Sequence, residues 1–462
     1  MANVEKQDLA AVAKVSGSAS DMCLLAEVGG SIVRVNASDV LPYREEDVMY
    51  GVEWDETAAS PDCTRIGNIA LHKTLPIQSL MRGCLLDDNG NVVKYLSEDD
   101  WTGEDRSGKS GQVMVEIPKH YRKCEKDGNK RRVKLSLYPL PGYLTVKKMY
   151  ISAYEAVVDR TNNKLCSIVN TAAQYRGGTN DSTLDGKDNT LLGRPATSLS
   201  LTLFRAYARK RKSSTTEWNC MTQDAQNTLV WLFVVEYATR NSQKAYNAAL
   251  TSEGYRQGGL GDGVTPIDYS KWTAWNKNNP FVACGYTDAL GNNTGIKEYT
   301  LPSTYDSTAK KVSVPRYRGI ENPFEHVNKH TDGVLIEVNP DSGNKLSKIY
   351  VCHDPAKFAD TISSAYTYIG NAPRSSGYIK TIAFTAEGDI CATSIGGGST
   401  SYYPDQFYMS DIPTAVSIRC AVSGGTAATG AGAGLFCEFA YLAPSTAHAT
   451  VGSRLCFIPA AA

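Results

Sequence analysis

With 48 Lys+Arg against 48 Asp+Glu over 462 residues and a pI near 7.0, the chain has length for about three units of roughly 150 residues and lacks the basic footprint of a nucleic-acid binder. No nucleic-acid partner is therefore expected. Tyrosine (26) outnumbers phenylalanine (10), and a rigid ring with a polar tip suits recognition surfaces better than a purely apolar core.

The longest purely apolar run, Leu229 to Val235, is seven residues, where about twenty are needed to cross a bilayer. No membrane insertion is expected. Glu5, Lys6, Asp8 and Lys14 interrupt the apolar stretch that a secretory signal would need, so synthesis in a cytoplasm is the expectation. Twelve cysteines are spread almost evenly, without Cys-x-x-Cys and without interleaved histidines; in a reducing compartment they read as free buried thiols.

Residues 1–50 hold a small helical pattern at Asp8-Leu-Ala-Ala-Val-Ala, then Leu24-Leu25 and Ser31-Ile-Val-Arg-Val as a strand pair. They offer too little apolar surface to fold alone, and read either as a frayed terminus or as an attachment and oligomerisation segment. Residues 51–150 carry β signals. Gln112-Val-Met-Val-Glu-Ile and Arg132-Val-Lys-Leu-Ser-Leu alternate apolar and polar residues around a stretch containing Asp127-Gly128, the composition of a hairpin in a β-rich connector.

From 151 onward the character changes. Tyr150 to Val158 is strand-like, Ser198 to Arg211 has helical spacing, and Thr222 to Arg240 is the strongest helix, with Thr222 as its N-cap. More than 200 residues of short strands and Gly-rich loops follow, with no internal repeat. Helices first and a long β region after them give an α+β fold.

Few motifs carry chemistry. Gly258-Gly-Leu-Gly-Asp-Gly has no strand before it and no Gly-Lys-Ser/Thr after it, so it reads as a turn or an oxygen-ligand cation loop around Asp262 rather than a phosphate cradle. His326 and His330 have zinc-pair spacing but lack the Glu of His-Glu-x-x-His, which favours polar loop packing. Arg205, Arg209, Lys210, Arg211 and Lys212 cluster at a helix end, as a solvated terminus complementing the helix dipole. There is no Gly-x-Ser-x-Gly. The carboxylate pairs Glu321 with Asp332 and Asp405 with Asp411 are of the kind any long chain offers. No catalytic residue, metal ligand or cofactor is assigned, and the chain is not expected to be an enzyme.

Several segments resemble one family in order: Tyr154-Glu155, Gly193-Arg-Pro-Ala, the helix Asn227 to Thr239, Arg318-Gly-Ile-Glu-Asn-Pro-Phe with Thr331-Asp-Gly, and Gly452-Ser-Arg-Leu-Cys-Phe. This is the pattern of the formylglycine-generating-enzyme branch of the C-type lectin-like fold, and the likeness covers 151–462. The enzymes of that branch hold copper on two closely spaced C-terminal cysteines. Here Cys420, Cys437 and Cys456 lie too far apart in sequence to form such a pair, so the resemblance implies a binder.

The C-terminal segment 423–450 further resembles the variable region of proteins diversified by retroelements, in which adenine mutagenesis scatters codons over a ligand-facing surface within a fixed frame. The frame would be Gly424-Gly425, Gly430-Ala431, Ala433 to Phe436, Ala443-Pro444-Ser445 and Gly452 to Phe457. The resemblance implies ligand contacts from Ser423, Thr426, Ala428, Gly432, Cys437, Phe439, Tyr441, Thr446, His448 and Thr450, with Phe439, Tyr441 and His448 as anchors. It implies a receptor-binding protein at the tail-fibre tip of a bacteriophage, assembled in the host cytoplasm as a homotrimer. Its partners would be a bacterial cell-surface protein or glycan and, through the N-terminus, other tail proteins. The alternatives are a bacterial lectin-like surface protein and, further off, a formylglycine-generating-type enzyme or a glycan depolymerase.

Overall fold

The computed structural model describes residues 23–28, 31–36, 43–178, 181–265, 267–268, 282–305, 307–343, 345–409 and 412–460. The architecture is mostly β with two substantial helices. The strands Cys23–Val28 and Ser31–Asn36 pair antiparallel as expected. The helical pattern at Asp8 lies outside the described residues.

Three sheets carry the fold. In the first, the strands run 144–146, 120–127, 130–136, 49–55 and 64–67; in the second, 218–220, 455–457, 149–152, 112–117, 82–86 and 92–95. The third is a large mixed sheet ordered 367–371, 347–351, 328–338, 417–423, 438–442, 406–408, 377–382 and 392–395, with 451–452 parallel beside 328–329.

The expected hairpin forms with a different first strand. Asp127 pairs with Lys130, so the strand His120–Asp127 returns as Lys130–Ser136 through Gly128-Asn129. Gln112–Ile117 instead lies in the second sheet, between Arg82–Leu86 and Met149–Ser152. All six of its residues are buried, so it needs a neighbour on each edge and cover on both faces.

The division at 150/151 also fails as a domain boundary, because it cuts the strand Met149–Ser152. That strand pairs with Gln112–Ile117 on one side and with Leu455–Phe457 on the other. Val52, Trp54, Val115 and Leu135 share one apolar core with Leu229, Trp231, Phe384 and Phe407. The β-rich segment 51–150 is therefore a structural part of the unit that follows it, not a separable connector.

Helix α1 (Leu201–Arg209) starts at Ser200, whose side chain accepts from the Leu203 N–H. It buries Leu201, Phe204, Arg205 and Ala208 on one face. Helix α2 (Gln223–Tyr237) starts at Thr222, which accepts from the Ala225 N–H at 3.2 Å, and ends on Ala238 in the left-handed conformation. Nearly every residue of α2 is buried, the apolar run 229–235 in the core and the polar Gln226, Asn227 and Glu236 paired with Leu435, Asp389 and Arg318. Trp231 stacks on Trp54 with centroids 5.9 Å apart and meets Phe384 and Phe436 edge-on, so α2 is the post around which the sheets pack.

The basic cluster is not a solvated terminus. Arg205 is 8% exposed and forks onto Asp332 at 2.7 and 3.0 Å, with a third contact to Asp360. Arg211 is buried and donates to the Leu165 carbonyl and to Asp88. Of the five, Lys210 alone is fully exposed. The acidic partners of Arg205 and Arg211 lie more than a hundred residues away, which is why local sequence read them as free charge, while Lys212 pairs with nearby Glu217. The eleven cysteines from Cys63 to Cys456 are free thiols.

Candidate functional site

Tyr154, Glu155, Glu321 and Arg454, four of the residues that carried the family resemblance, meet in one buried region. Tyr154 donates to Asp288 at 2.9 Å. The next residue, Glu155, lies 2.6 Å from His326 Nδ1 and 3.0 Å from Lys329 Nζ. His326 Nε2 takes the Val282 N–H at 3.1 Å; a backbone N–H can only donate, so the imidazole proton sits on Nδ1, facing Glu155. Burial alone would raise the Glu155 carboxyl, but the Lys329 ammonium and His326 outweigh it and hold it at about 2. Arg454, fully buried, donates to the carbonyls of Ser152, Glu321 and Asn322. Glu321 accepts from the N–H groups of Gly285 and Thr287, and burial together with Asp288 pushes its carboxyl up to about 7. Arg318 forks onto Glu236 of α2. His326 and His330 are both buried and face different partners, His326 toward Glu155 and the Val282 N–H and His330 Nδ1 3.8 Å from Cys420 Sγ. Glu321 and Asp332 serve separate partners, Thr287 and Arg205. Asp411 lies outside the described residues.

The segment 423–450 is hung on this network. Glu325 N–H donates to the Gly424 carbonyl, Ala427 N–H to the His326 carbonyl, and Asn328 N–H to the Thr450 carbonyl. Both loops of the segment thus flank residues 325–328. Gly425 has φ +90, and a Cβ there would lie 2.8 Å from that of Ala433, so no other residue fits.

Within that frame the ten expected contact residues divide. Ala428 is exposed, and Tyr441, Thr446 and His448 are half-buried. Ser423, Thr426, Gly432, Cys437, Phe439 and Thr450 are buried, which corrects the expectation of a ligand-facing position for them. For Ser423 and Phe439 the reason is topological: Ser417–Ser423 and Glu438–Leu442 are interior strands of the large sheet, each paired on both edges, and Phe439 is also covered by Tyr408. The other exposed residues of the segment are Ala431, Ser445 and Ala447.

A tyrosine-bearing face of the large sheet joins the segment. Tyr408 stacks on Phe439 with centroids 4.7 Å apart and planes 8° from parallel, and Phe439 meets Tyr441 at 5.8 Å. Across the sheet Tyr350 pairs with Tyr368 in register, rings 5.8 Å apart. Tyr350, Tyr408, Tyr441 and Ile418 pack at the edge of one apolar cluster and stay half-buried, and Tyr368 is 49% exposed. Helix α1 closes the part over the 328–338 strand by packing Phe204 against His330. Composition signalled this face through its tyrosine excess, but register and partner strands decide which tyrosines share it.

A second constellation was not anticipated. His353, Glu387 and Asp389 each offer a ligand atom within 4.8 Å of the others. His353 and Glu387 border a cavity of about 200 Å³ that Arg122, Asp224 and Thr228 also line. Burial would lower the His353 imidazole, but Asp224 and Asp389 outweigh it and push it up to about 10. The Glu387-Gly-Asp389 spacing was the available signal, and it is too short and too common to stand out alone.

Gly258 ends the short strand Gln257–Gly258, which pairs with Tyr246–Asn247, and Asp262 is exposed after it. No helix among the described residues is long and apolar enough to cross a membrane. Compared with known proteins, the chain matches no family model and has no significant match to a curated protein.

Proposed function

We propose that this chain is a host-adhesion protein with a C-type lectin-like domain, placed at the tip of a bacteriophage tail fibre, whose 423–450 segment is diversified by a retroelement. The carrying observation is the pairing of a locked frame with an adjoining aromatic face. Gly425, Glu155 and Arg454 fix the backbone under the segment, while Tyr441, Tyr408 and Tyr368 offer rigid amphipathic rings beside it. The convergence of Glu155, Glu321 and Arg454, all from the resemblance motifs, supports the lectin-like reading.

On this reading the contact set is narrower than the sequence implied: Ala428, Tyr441, Thr446 and His448, joined by Ala431, Ser445 and Ala447. Small side chains dominate it, so monovalent affinity is modest and several copies per particle supply avidity. No group in the segment is set up as a nucleophile or a paired acid and base, which favours binding over turnover.

The test is adhesion of the labelled full-length chain to a panel of bacterial isolates, with and without Tyr441→Ala and His448→Ala. Saturable binding to particular strains, lost in the variants with the melting temperature kept, supports the proposal; absence of strain-selective binding overturns it. The gene neighbourhood gives an independent check, since a diversified gene has a template repeat differing at adenines beside a reverse-transcriptase gene. Light scattering on the full chain tests the homotrimer.

A further inference from the structure

The cavity beside His353 has the composition of a metal site. Asp389 is fully buried and tightly oriented: Asn227 Nδ2 donates to its Oδ1 at 3.0 Å and Thr385 Oγ1 to its Oδ2 at 2.6 Å. His353 is oriented through its other nitrogen, with Nδ1 2.6 Å from Asp224 Oδ1, which leaves Nε2 facing Asp389 Oδ2 at 3.6 Å. A carboxylate behind an imidazole whose far nitrogen faces further carboxylates is the outer-shell arrangement that orients metal-binding histidines.

The turn presenting Glu387 and Asp389 is held in place. Trp231 Nε1 donates to the Gly388 carbonyl at 2.6 Å, and Arg122 Nη2 donates to the Glu387 carbonyl. Gly388 has φ +76, and a Cβ there would lie 2.9 Å from Trp231 Nε1, so the turn tolerates no side chain at its centre. Glu387 and Asp389 therefore keep a fixed spacing.

Two further atoms point to a ligand. Thr228 Oγ1, on a residue only 1% exposed, lines the cavity without a hydrogen-bond partner, and so does Arg122 Nη1 on a residue 7% exposed. Buried polar atoms of this kind are normally satisfied. Three carboxylates, from Asp224, Glu387 and Asp389, surround one imidazole. Hydrogen bonds within the cluster reach Asp224 and Asp389 but leave both orphan atoms without a partner. A divalent cation carrying oxygen ligands answers all of them.

We propose that His353 Nε2, Asp389 and Glu387 bind one divalent cation of the Mn²⁺ or Zn²⁺ class, with open coordination positions facing the cavity where Thr228 Oγ1 and Arg122 Nη1 hold an oxygen ligand. One imidazole with two carboxylates suits such metals better than a thiolate site would. None of the three residues belongs to the 423–450 segment, and the site does not depend on the adhesion reading.

The experiment is a Mn²⁺ titration of the chelator-treated full-length chain, followed by loss of the free-ion electron paramagnetic resonance signal. Mn²⁺ is chosen because the free thiols bind it poorly. One saturable site per chain is expected. Affinity should fall at least about tenfold in Glu387→Gln and in His353→Gln, with a smaller loss in Asp224→Asn, which acts only by orienting the imidazole. Glu98→Gln, an exposed carboxylate elsewhere, should leave it unchanged. Glu387 is exposed, so its variant folds, and circular dichroism checks this. Absence of saturable uptake, or equal uptake by wild type and Glu387→Gln, overturns the proposal and leaves the cluster as an ion triad closed on its own imidazolium.

Discussion

Arg454 Nη1 donates to the Ser152 carbonyl at 3.0 Å, joining residues 302 apart in the chain. The same guanidinium reaches the carbonyls of Glu321 and Asn322, so one side chain fastens the C-terminal strand Leu455–Phe457 to the strand 149–152 and to the turn before 325–328. It lies fully buried among backbone oxygens that have few alternatives.

Arg454→Met should therefore destabilise the chain by at least about 3 kcal/mol, because several buried carbonyls lose their donor at once. Arg454→Lys should recover only part of this, since an ammonium cannot reproduce the guanidinium's fan of donors. Urea denaturation followed by tryptophan fluorescence measures both; equal stability of the Met variant and wild type would contradict the fastening role.

Phe439 and Tyr441 are neighbours on one strand and should respond oppositely. Phe439 is 7% exposed and stacked on Tyr408, so Phe439→Ala should cost about 3 kcal/mol of stability. Tyr441 is half-buried, and Tyr441→Ala should cost about 1 kcal/mol or less while removing cell adhesion. Melting curves and the adhesion assay on both variants separate a packed residue from a contact residue.

The start of α2 was legible because a cap is a local event: Thr222 sits immediately before an apolar run with helical spacing and accepts the Ala225 N–H, whereas α1, expected from Ser198, begins at Leu201 behind a Ser200 cap that the sequence reading did not single out. Pairing was less legible. The alternation of 112–117 marks a strand but not its partner, and Asp127-Gly128 belonged to a strand whose sequence, His-Tyr-Arg-Lys-Cys-Glu, is too polar to read as β. The side of the sheet on which Phe439 faces depends on its pairing with Val422 and Tyr408, and an Ala- and Gly-rich segment carries no alternation to encode it. The cluster at His353 was illegible for the same reason, since Asp224 and Asp389 are separated by 165 residues and meet only through α2.

Acid should expose the Glu155 network. The Glu155 carboxyl sits at about 2 in the folded chain, against an ordinary value of 4.5, because Lys329 and His326 outweigh its burial. A depressed carboxyl contributes stability that is present above the ordinary value and lost as pH falls through the folded one. The expected loss is roughly 3 kcal/mol between about pH 4.5 and 2. Urea titrations over that range should steepen relative to Glu155→Gln; parallel pH profiles for the two chains would contradict the assignment.

Glu438 should act with the opposite sign. It is the first residue of the strand 438–442, its Oε2 accepts the Ala392 N–H at 2.9 Å, and its Oε1 has no hydrogen-bond partner. Burial pushes its carboxyl up to about 7, so the folded chain holds the proton where the unfolded chain releases it. The stabilising difference is complete below about pH 4.5 and declines as pH rises to about 7, for a total of roughly 3 kcal/mol. Glu438→Gln cannot ionise and should flatten that decline, making the variant more stable relative to wild type at pH 8 than at pH 4.5. Melting temperatures at both pH values measure the difference, and a gap that does not widen with pH would show that Glu438 ionises freely in the folded chain.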